Sequence, residues 1–152
     1  MTVNTQRRTV LQFTALIGLM AGAGLITPAQ AAEWNKAAFE GKSLDEVLKA
    51  FGGSSSEKSA AVSLNAPDIA ENGAVVPIGV TSSLKVEQIA ILVEKNPNAL
   101  AAHFTLSEGA EPFVTTRVKM GQSSNVHALV KAEGKWYVTT KEVKVTLGGC
   151  GG

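Results

Sequence analysis

Beyond Ala60 the sequence consists of short β-branched and apolar runs separated by turn residues, and this pattern constrains the fold more than any other feature. Turn signals occur at NAPD, ENG, KNPN, SEGAEP, GQSS and AEGK. About seven strands are predicted, at Ala60–Leu64, Ala74–Ser82, Val86–Glu94, Leu100–Leu106, Phe113–Met120, Asn125–Ala132 and Lys135–Leu147, the last of which could divide in two. This pattern predicts an all-β, immunoglobulin-like antiparallel β-sandwich over residues 60–147, with a small closed barrel as the alternative.

One of these runs is apolar on both of its faces. In the sequence AVVPIGV, apolar side chains occupy adjacent positions from Ala74 to Val76 and continue at Ile78 and Val80. A strand of this kind is either central in the fold or covered by a partner subunit. The stretch is therefore a candidate partner contact as well as a core strand.

A helical segment precedes the strands, because apolar residues recur at helical spacing between Trp34 and Phe51. Ser43 can cap a second short helix, and Glu46 three residues later completes a capping box. The polar sequence GGSSSEKS that follows predicts a flexible hinge. Residues 32–59 are thus expected to form a small N-terminal helical appendage and hinge.

The first 31 residues predict an export signal. Arg7 and Arg8 precede the apolar run Phe13–Ile26 and an A-x-A sequence that ends at Ala31, the expected cleavage point. The run is too short for the roughly 30 Å of hydrocarbon in a bilayer. The paired arginines favour the twin-arginine route over an ordinary secretory leader. Either route leads to the periplasm.

Charge and cysteine content exclude several classes of function. Cleavage after Ala31 removes two of the 14 basic residues and none of the 13 acidic ones, which leaves a formal charge of −1. A chain without a basic stripe has no electrostatic basis for binding nucleic acid, and no second apolar run is long enough to span a membrane. The single cysteine cannot form an internal disulfide in the oxidising periplasm. It must be unpaired, joined to another chain, or chemically used.

The body of the domain carries no recognisable catalytic constellation. The sequence has no G-x-S-x-G elbow, phosphate-binding glycine loop or C-x-x-C pair, so no catalytic residue and no cofactor is predicted. His103 is expected to point to solvent on the outer face of its sheet, and the phase of His127 is ambiguous. Two histidines without further ligands at suitable spacing do not predict a metal site.

The C-terminal sequence KVTLGGCGG contains the only cysteine. Gly148, Gly149, Gly151 and Gly152 flank Cys150, and glycine permits most backbone conformations without adding a side chain. Residues 148–152 are therefore predicted to form a thin, flexible arm that presents the thiol beyond the sheet. Such an arm suits a handle for covalently attached cargo. A disulfide that crosslinks an exported structural sandwich domain is the alternative.

KVTLGGCGG, the segment PDIAENGAVVPIGV (Pro67–Val80) and the twin-arginine leader together resemble the SoxY family, the sulfur-carrying subunits of bacterial thiosulfate oxidation. The resemblance implies a periplasmic, non-enzymatic carrier that forms a heterodimer with a SoxZ-like subunit and holds intermediates on Cys150. It also implies transient contacts with SoxAX, which loads thiosulfate, and with SoxB and SoxCD, which process it. A sulfur donor that uses the Gly152 carboxylate, as ubiquitin-like carriers do, is a third hypothesis.

Overall fold

The computed structural model describes residues 35–146, which form two short helices and nine strands. The helices are α1 (Lys36–Glu40) and α2 (Leu44–Ala50). The strands are β1 (Ser56–Lys58), β2 (Val62–Asn65), β3 (Ile69–Ala70), β4 (Val76–Ser82), β5 (Val86–Val93), β6 (Leu100–Thr105), β7 (Phe113–Val118), β8 (Ser124–Ala132) and β9 (Lys135–Val145). All the predicted strands are present with bounds shifted by a few residues, and β1 and β3 are additional.

The strands form two sheets. The larger sheet has the order β1-β9-β8-β5-β6, and β3 also pairs with β9; the smaller sheet has the order β2-β4-β7. Neighbours are antiparallel except that β1 and β3 both run parallel to β9, near opposite ends of that strand. This architecture confirms the predicted two-sheet sandwich.

The main core lies between the two sheets. On β4, the side chains of Val76, Ile78 and Val80 are completely buried in this core, while the intervening Pro77 is exposed. Burial of one such side chain contributes about 1.5–3 kcal/mol, so these three positions fix which face of β4 turns inward. β4 is the central strand of the smaller sheet, in agreement with the first of the two interpretations of this stretch.

A second core lies on the other face of the larger sheet, beneath the helices. Val47 and Leu48 of α2 pack there against sheet residues that include Leu92, Leu129 and Trp136. Because of these large apolar side chains, both faces of the larger sheet are hydrophobic, and the face outside the sandwich must also be covered. The helical segment supplies it and forms a third layer, rather than the small appendage that the sequence predicted.

The capping of α2 follows the sequence closely at both ends. The Ser43 side chain accepts a hydrogen bond from the Glu46 backbone N–H at 3.2 Å, and the Glu46 carboxylate accepts one from the Lys42 backbone N–H at 2.8 Å. The capping box therefore reaches one residue further back than its usual form. At the C-terminal end, Gly53 N–H donates to the Leu48 carbonyl at 2.9 Å, as in a Schellman motif.

The segment predicted as a flexible hinge is built into the fold. Gly52 adopts a positive φ of 77°, which glycine accommodates without strain. A Cβ on Gly53 would lie only 2.5 Å from Leu48 Cδ1 and 2.7 Å from Trp136 Cδ1, so this glycine permits close packing. β1 then pairs in parallel with the first part of β9. The glycines and serines here serve a tight connection, which differs from the predicted hinge.

Candidate functional site at the end of strand β9

The predicted arm continues from β9, and the last described residues of the chain are held in place by β3. Ala70 of β3 pairs with Val145, the last residue of β9. The Thr146 backbone N–H donates to the Ala70 carbonyl at 3.1 Å, and its hydroxyl donates to the Glu71 carbonyl at 3.5 Å. β3 therefore fixes the point from which the arm departs.

Two further contacts hold this point. The Val145 backbone N–H donates to Ser123 Oγ at 2.9 Å. Met120 N–H donates to the Gly73 carbonyl at 2.7 Å, and a Cβ on Gly73 would lie 2.4 Å from the Met120 carbonyl oxygen and 2.9 Å from Val145 Cγ1. Only glycine allows this approach, because such a distance is far below van der Waals contact. We call residues 69–75 the collar, since this segment contacts the chain where the arm begins.

An ion pair ties the connection between β2 and β3 to β9. Lys141 Nζ lies 2.9 Å from Asp68 Oδ1 and also donates a hydrogen bond to the Ala66 carbonyl. The Asp68 side chain is largely exposed, so solvent screens the pair and it contributes at most about 1 kcal/mol. Its consequence is mainly geometric, because it sets the position from which β3 begins.

The residues predicted for sulfur attachment and export lie outside the described residues 35–146. They are Cys150, Gly148, Gly149, Gly151, Gly152, Arg7 and Arg8. Covalent geometry nevertheless limits where the thiol can act. Cys150 lies four residues after Thr146, and at roughly 3.3–3.6 Å per residue its backbone extends at most about 14 Å from the collar.

Two clefts in the described part of the chain lie at the opposite end of the sandwich from the collar, and a third, of about 400 Å³, lies on the smaller sheet between Pro67, Pro77 and Phe113. Of the first two, one, of about 580 Å³, lies between Leu84, Leu106 and Glu133. The other, of about 370 Å³, contains Lys135 and Trp136, the first residues of β9. At roughly 3.3 Å per residue, β9 separates them from the collar by about 30 Å. An arm that extends at most about 14 Å cannot bring its thiol into either cleft.

The prediction for His103 is wrong. Its ring is partly buried beneath the helical layer, with its centroid 4.6 Å from that of Phe51, and within residues 35–146 its buried Nε2 has no hydrogen-bond partner. Burial lowers the pKa of His103 from its ordinary value. Ala102 and Phe104, its neighbours on β6, pack against the main core, so His103 does lie on the outer face of its sheet. The error came from assuming that the other face was open to solvent.

His127 lies on the face of the larger sheet that carries the helices. Its Nδ1 is 2.8 Å from Thr140 Oγ1, and its Nε2 is 3.7 Å from Glu94 Oε2. Asn125 donates to the same Glu94 oxygen at 2.8 Å. Burial lowers the pKa of His127, while the nearby Glu94 carboxylate opposes this change. Across residues 35–146 no three His, Cys, Asp or Glu side chains are grouped to hold a metal ion.

The collar was not predicted from the sequence. Its strand, β3, has only two residues and pairs with a part of β9 far along the chain, so no periodic pattern marks it. Gly73 looked like an ordinary turn glycine in ENG. Two signals were usable: the apolar residue Ile69 directly after the turn sequence NAPD, and the apolar stretch from Ala74 to Val80, which was named above as a candidate partner contact and includes Val75.

The fold and the site define a small β-sandwich protein whose longest strand leads toward the segment that carries its sole cysteine. Within the described residues, both helices are too short to span a membrane. A carrier of covalently bound groups is the class of protein that fits this arrangement.

Comparisons with known proteins identify the family. The family model described as sulfur oxidation protein SoxY matches residues 47–150, a region that ends at the cysteine. A solved structure, the sulfur carrier protein SoxY from Chlorobium limicola f thiosulfatophilum, is 36% identical over 68% of this chain and 94% of that chain, with a TM-score of 0.61. Comparison with curated proteins gives no match. The chain belongs to the SoxY family and has a carrier role in sulfur oxidation.

Proposed function

We propose that the protein holds thiosulfate-derived sulfur covalently on Cys150 in the periplasm and presents it to separate enzymes. The observation that carries this proposal is the position of the sole cysteine, four residues beyond the anchored Thr146 and inside the family match. An anchored starting point and a short glycine-rich segment let the thiol enter a partner's pocket while the sandwich stays outside.

The thiol depends on its partners for activation. An ordinary cysteine has a pKa of about 8.5, so only a few per cent is thiolate at neutral pH. The arm sequence GGCGG carries no basic side chain, and the two clefts at the far end of the sandwich are beyond its reach. The chemistry therefore belongs to enzymes that accept the arm, and the protein acts as their covalently loaded substrate.

The proposed loading step is oxidative. The Cys150 thiolate and the terminal sulfur of thiosulfate form an S–S bond, and the pair of electrons released passes to a c-type cytochrome such as SoxAX. The product is a cysteine S-thiosulfonate. Water then attacks the outer sulfonate at a SoxB-like hydrolase, which breaks the bond between the two cargo sulfur atoms. Sulfate and protons leave, and one sulfur atom remains on Cys150 as a persulfide.

A second oxidation and hydrolysis return the carrier to its starting state. A SoxCD-like enzyme oxidises the persulfide sulfur with oxygen atoms from water, and the electrons leave through that enzyme. The product is a cysteine S-sulfonate on Cys150, and its hydrolysis breaks the S–S bond, releases sulfate and restores the thiol. A lone cysteine suits this cycle, because a second thiol in the chain could expel the cargo by disulfide exchange.

The proposal includes the organisation of the whole chain. Residues 1–31 act as an export signal with Arg7 and Arg8 at its start, and residues 148–152 act as the arm. A SoxZ-like subunit forms a heterodimer with the sandwich. Folded export by the twin-arginine route would allow the two subunits to cross the membrane together.

Intact-mass spectrometry of the protein from cells grown on thiosulfate tests this function. We expect adducts of thiosulfate or sulfur mass that map to Cys150, are removed by a thiol reductant and are absent from Cys150→Ser. The variant should fold normally but fail to support thiosulfate oxidation. Disulfide-linked dimers without any sulfur adduct would instead favour a crosslinked structural domain, and modification of the Gly152 carboxylate would favour a thiocarboxylate donor.

A further inference from the structure

We propose that the collar, residues 69–75, is the surface on which the cargo-processing enzymes dock, through its exposed apolar side chains Ile69 and Val75. This proposal rests on the proposed carrier function and names the contact that the function needs. The partner that fits is an enzyme whose pocket entrance has an apolar, uncharged rim.

The length of the arm requires a contact at this place. Cys150 extends at most about 14 Å beyond Thr146, and part of that length is used up inside any pocket that encloses the cysteine. The rim of the pocket must therefore lie within a few ångströms of Thr146. The collar contacts Thr146 directly, because Ala70 and Glu71 accept its hydrogen bonds.

The collar is apolar where most of the surface is not. Among the described residues, the large hydrophobic side chains that are exposed are Ile69 at 58%, Val75 at 51% and Phe113 at 53%. Two of these three belong to a seven-residue segment at the base of the arm. Ile69 pairs with Lys144, about 5 Å away, and Val75 follows Gly73, which packs on Val145. Within the described residues, nothing covers the side chains of Ile69 and Val75.

The charges near the collar are balanced, which indicates what kind of surface it matches. Asp68 and Glu71 are acidic, and Lys141 and Lys144 are basic; Lys141 is already paired with Asp68. A surface without net charge gives little long-range steering, so docking should depend on apolar contact. Binding to the collar should accordingly change little with ionic strength.

Kinetics with the thiosulfate-loaded carrier, in complex with its partner subunit, and the sulfate-releasing hydrolase of the same organism test this proposal. The double variant Ile69→Thr, Val75→Thr keeps β-branched side chains while removing apolar surface. We expect its KM as a substrate to rise roughly tenfold, or about 1.4 kcal/mol, with kcat unchanged. The single variant Val75→Thr leaves the β3 pairing intact, because Val75 lies outside the strands. It should also raise KM.

Phe113→Thr is the matched control, because Phe113 is equally exposed but lies at the far end of β7 from Met120 and the collar. Its KM should stay at the wild-type value, and alkylation of Cys150 by iodoacetamide should proceed equally in all variants. An unchanged KM for both collar variants, with sulfate still released, overturns the docking surface and leaves the carrier function standing. No sulfate from the loaded wild-type protein overturns the carrier function itself.

Discussion

Replacing Gly73 with alanine should destabilise the sandwich and loosen the base of the arm together. The added Cβ would lie 2.4 Å from the Met120 carbonyl oxygen, whereas ordinary contacts of this kind begin above 3 Å. That oxygen belongs to the backbone and cannot rotate away. The collar must therefore move outward, which lengthens the 2.7 Å hydrogen bond from Met120 N–H to Gly73.

The size of the effect follows from three contributions. Overpacking of a closely packed site costs about 1–3 kcal/mol, and loss of the hydrogen bond costs about 1 kcal/mol. Alanine also restricts the unfolded chain, which offsets about 0.4–1 kcal/mol. The expected net loss is about 1–3.5 kcal/mol in the free energy of unfolding. With a urea m-value of about 1.3 kcal/mol/M, the unfolding midpoint should fall by about 1–3 M.

Equilibrium unfolding in urea, followed by tryptophan fluorescence, measures this change. Gly121→Ala is the matched control, because a Cβ at Gly121 would meet no atom within 4 Å. Its midpoint should stay close to that of the wild type. A nitroxide attached to Cys150, the single cysteine, should become more mobile in Gly73→Ala but not in Gly121→Ala. Equal midpoints for the two alanine variants would refute the reasoning from close approach.

Two further predictions concern the helical layer and the histidines. Ser43→Ala removes the N-cap of α2 and should lower the free energy of unfolding by about 1 kcal/mol, measured by thermal denaturation. Ser54→Ala, at an exposed residue that caps no helix, is the control and should change it little. Burial lowers the pKa of both His103 and His127 in the folded protein, so below about pH 6.5 the unfolded chain binds more protons and stability should fall as the pH decreases. His103→Leu should reduce this decline, and a urea midpoint that is constant between about pH 7.5 and 5 would contradict the assignment.

The sandwich could be predicted from the sequence because its signals are local. β-branched and apolar runs are separated by turn residues, so the strands can be read directly, although AVVPIGV left open whether β4 is a core strand or a partner contact. The cap of α2 is equally local, since Ser43 and Glu46 are three residues apart. Each of these features needs only information carried within a few neighbouring residues.

The three-layer arrangement and the collar depend on distant pairings and could not be predicted in the same way. The position of the helical layer decides whether His103 contacts water or Phe51, and the residue pattern of β6 carries no information about that position. β3 forms because two residues pair with the end of β9, and no strand propensity in the sequence predicts this pairing. Gly73 is a turn glycine in the sequence and becomes a packing requirement only beside Met120.

The position of β9 in its sheet also has a mechanical consequence. The strand is bonded to β8 on one side and to β1 and β3 on the other, and the segment bearing the thiol continues directly from its end. Ladder hydrogen bonds lie roughly across the strand direction, so tension applied along β9 loads many of them at once, in shear. Tension that a partner applies to the cysteine on dissociation would therefore be shared among many hydrogen bonds of the sheet. It would not break the bonds of one edge strand one after another.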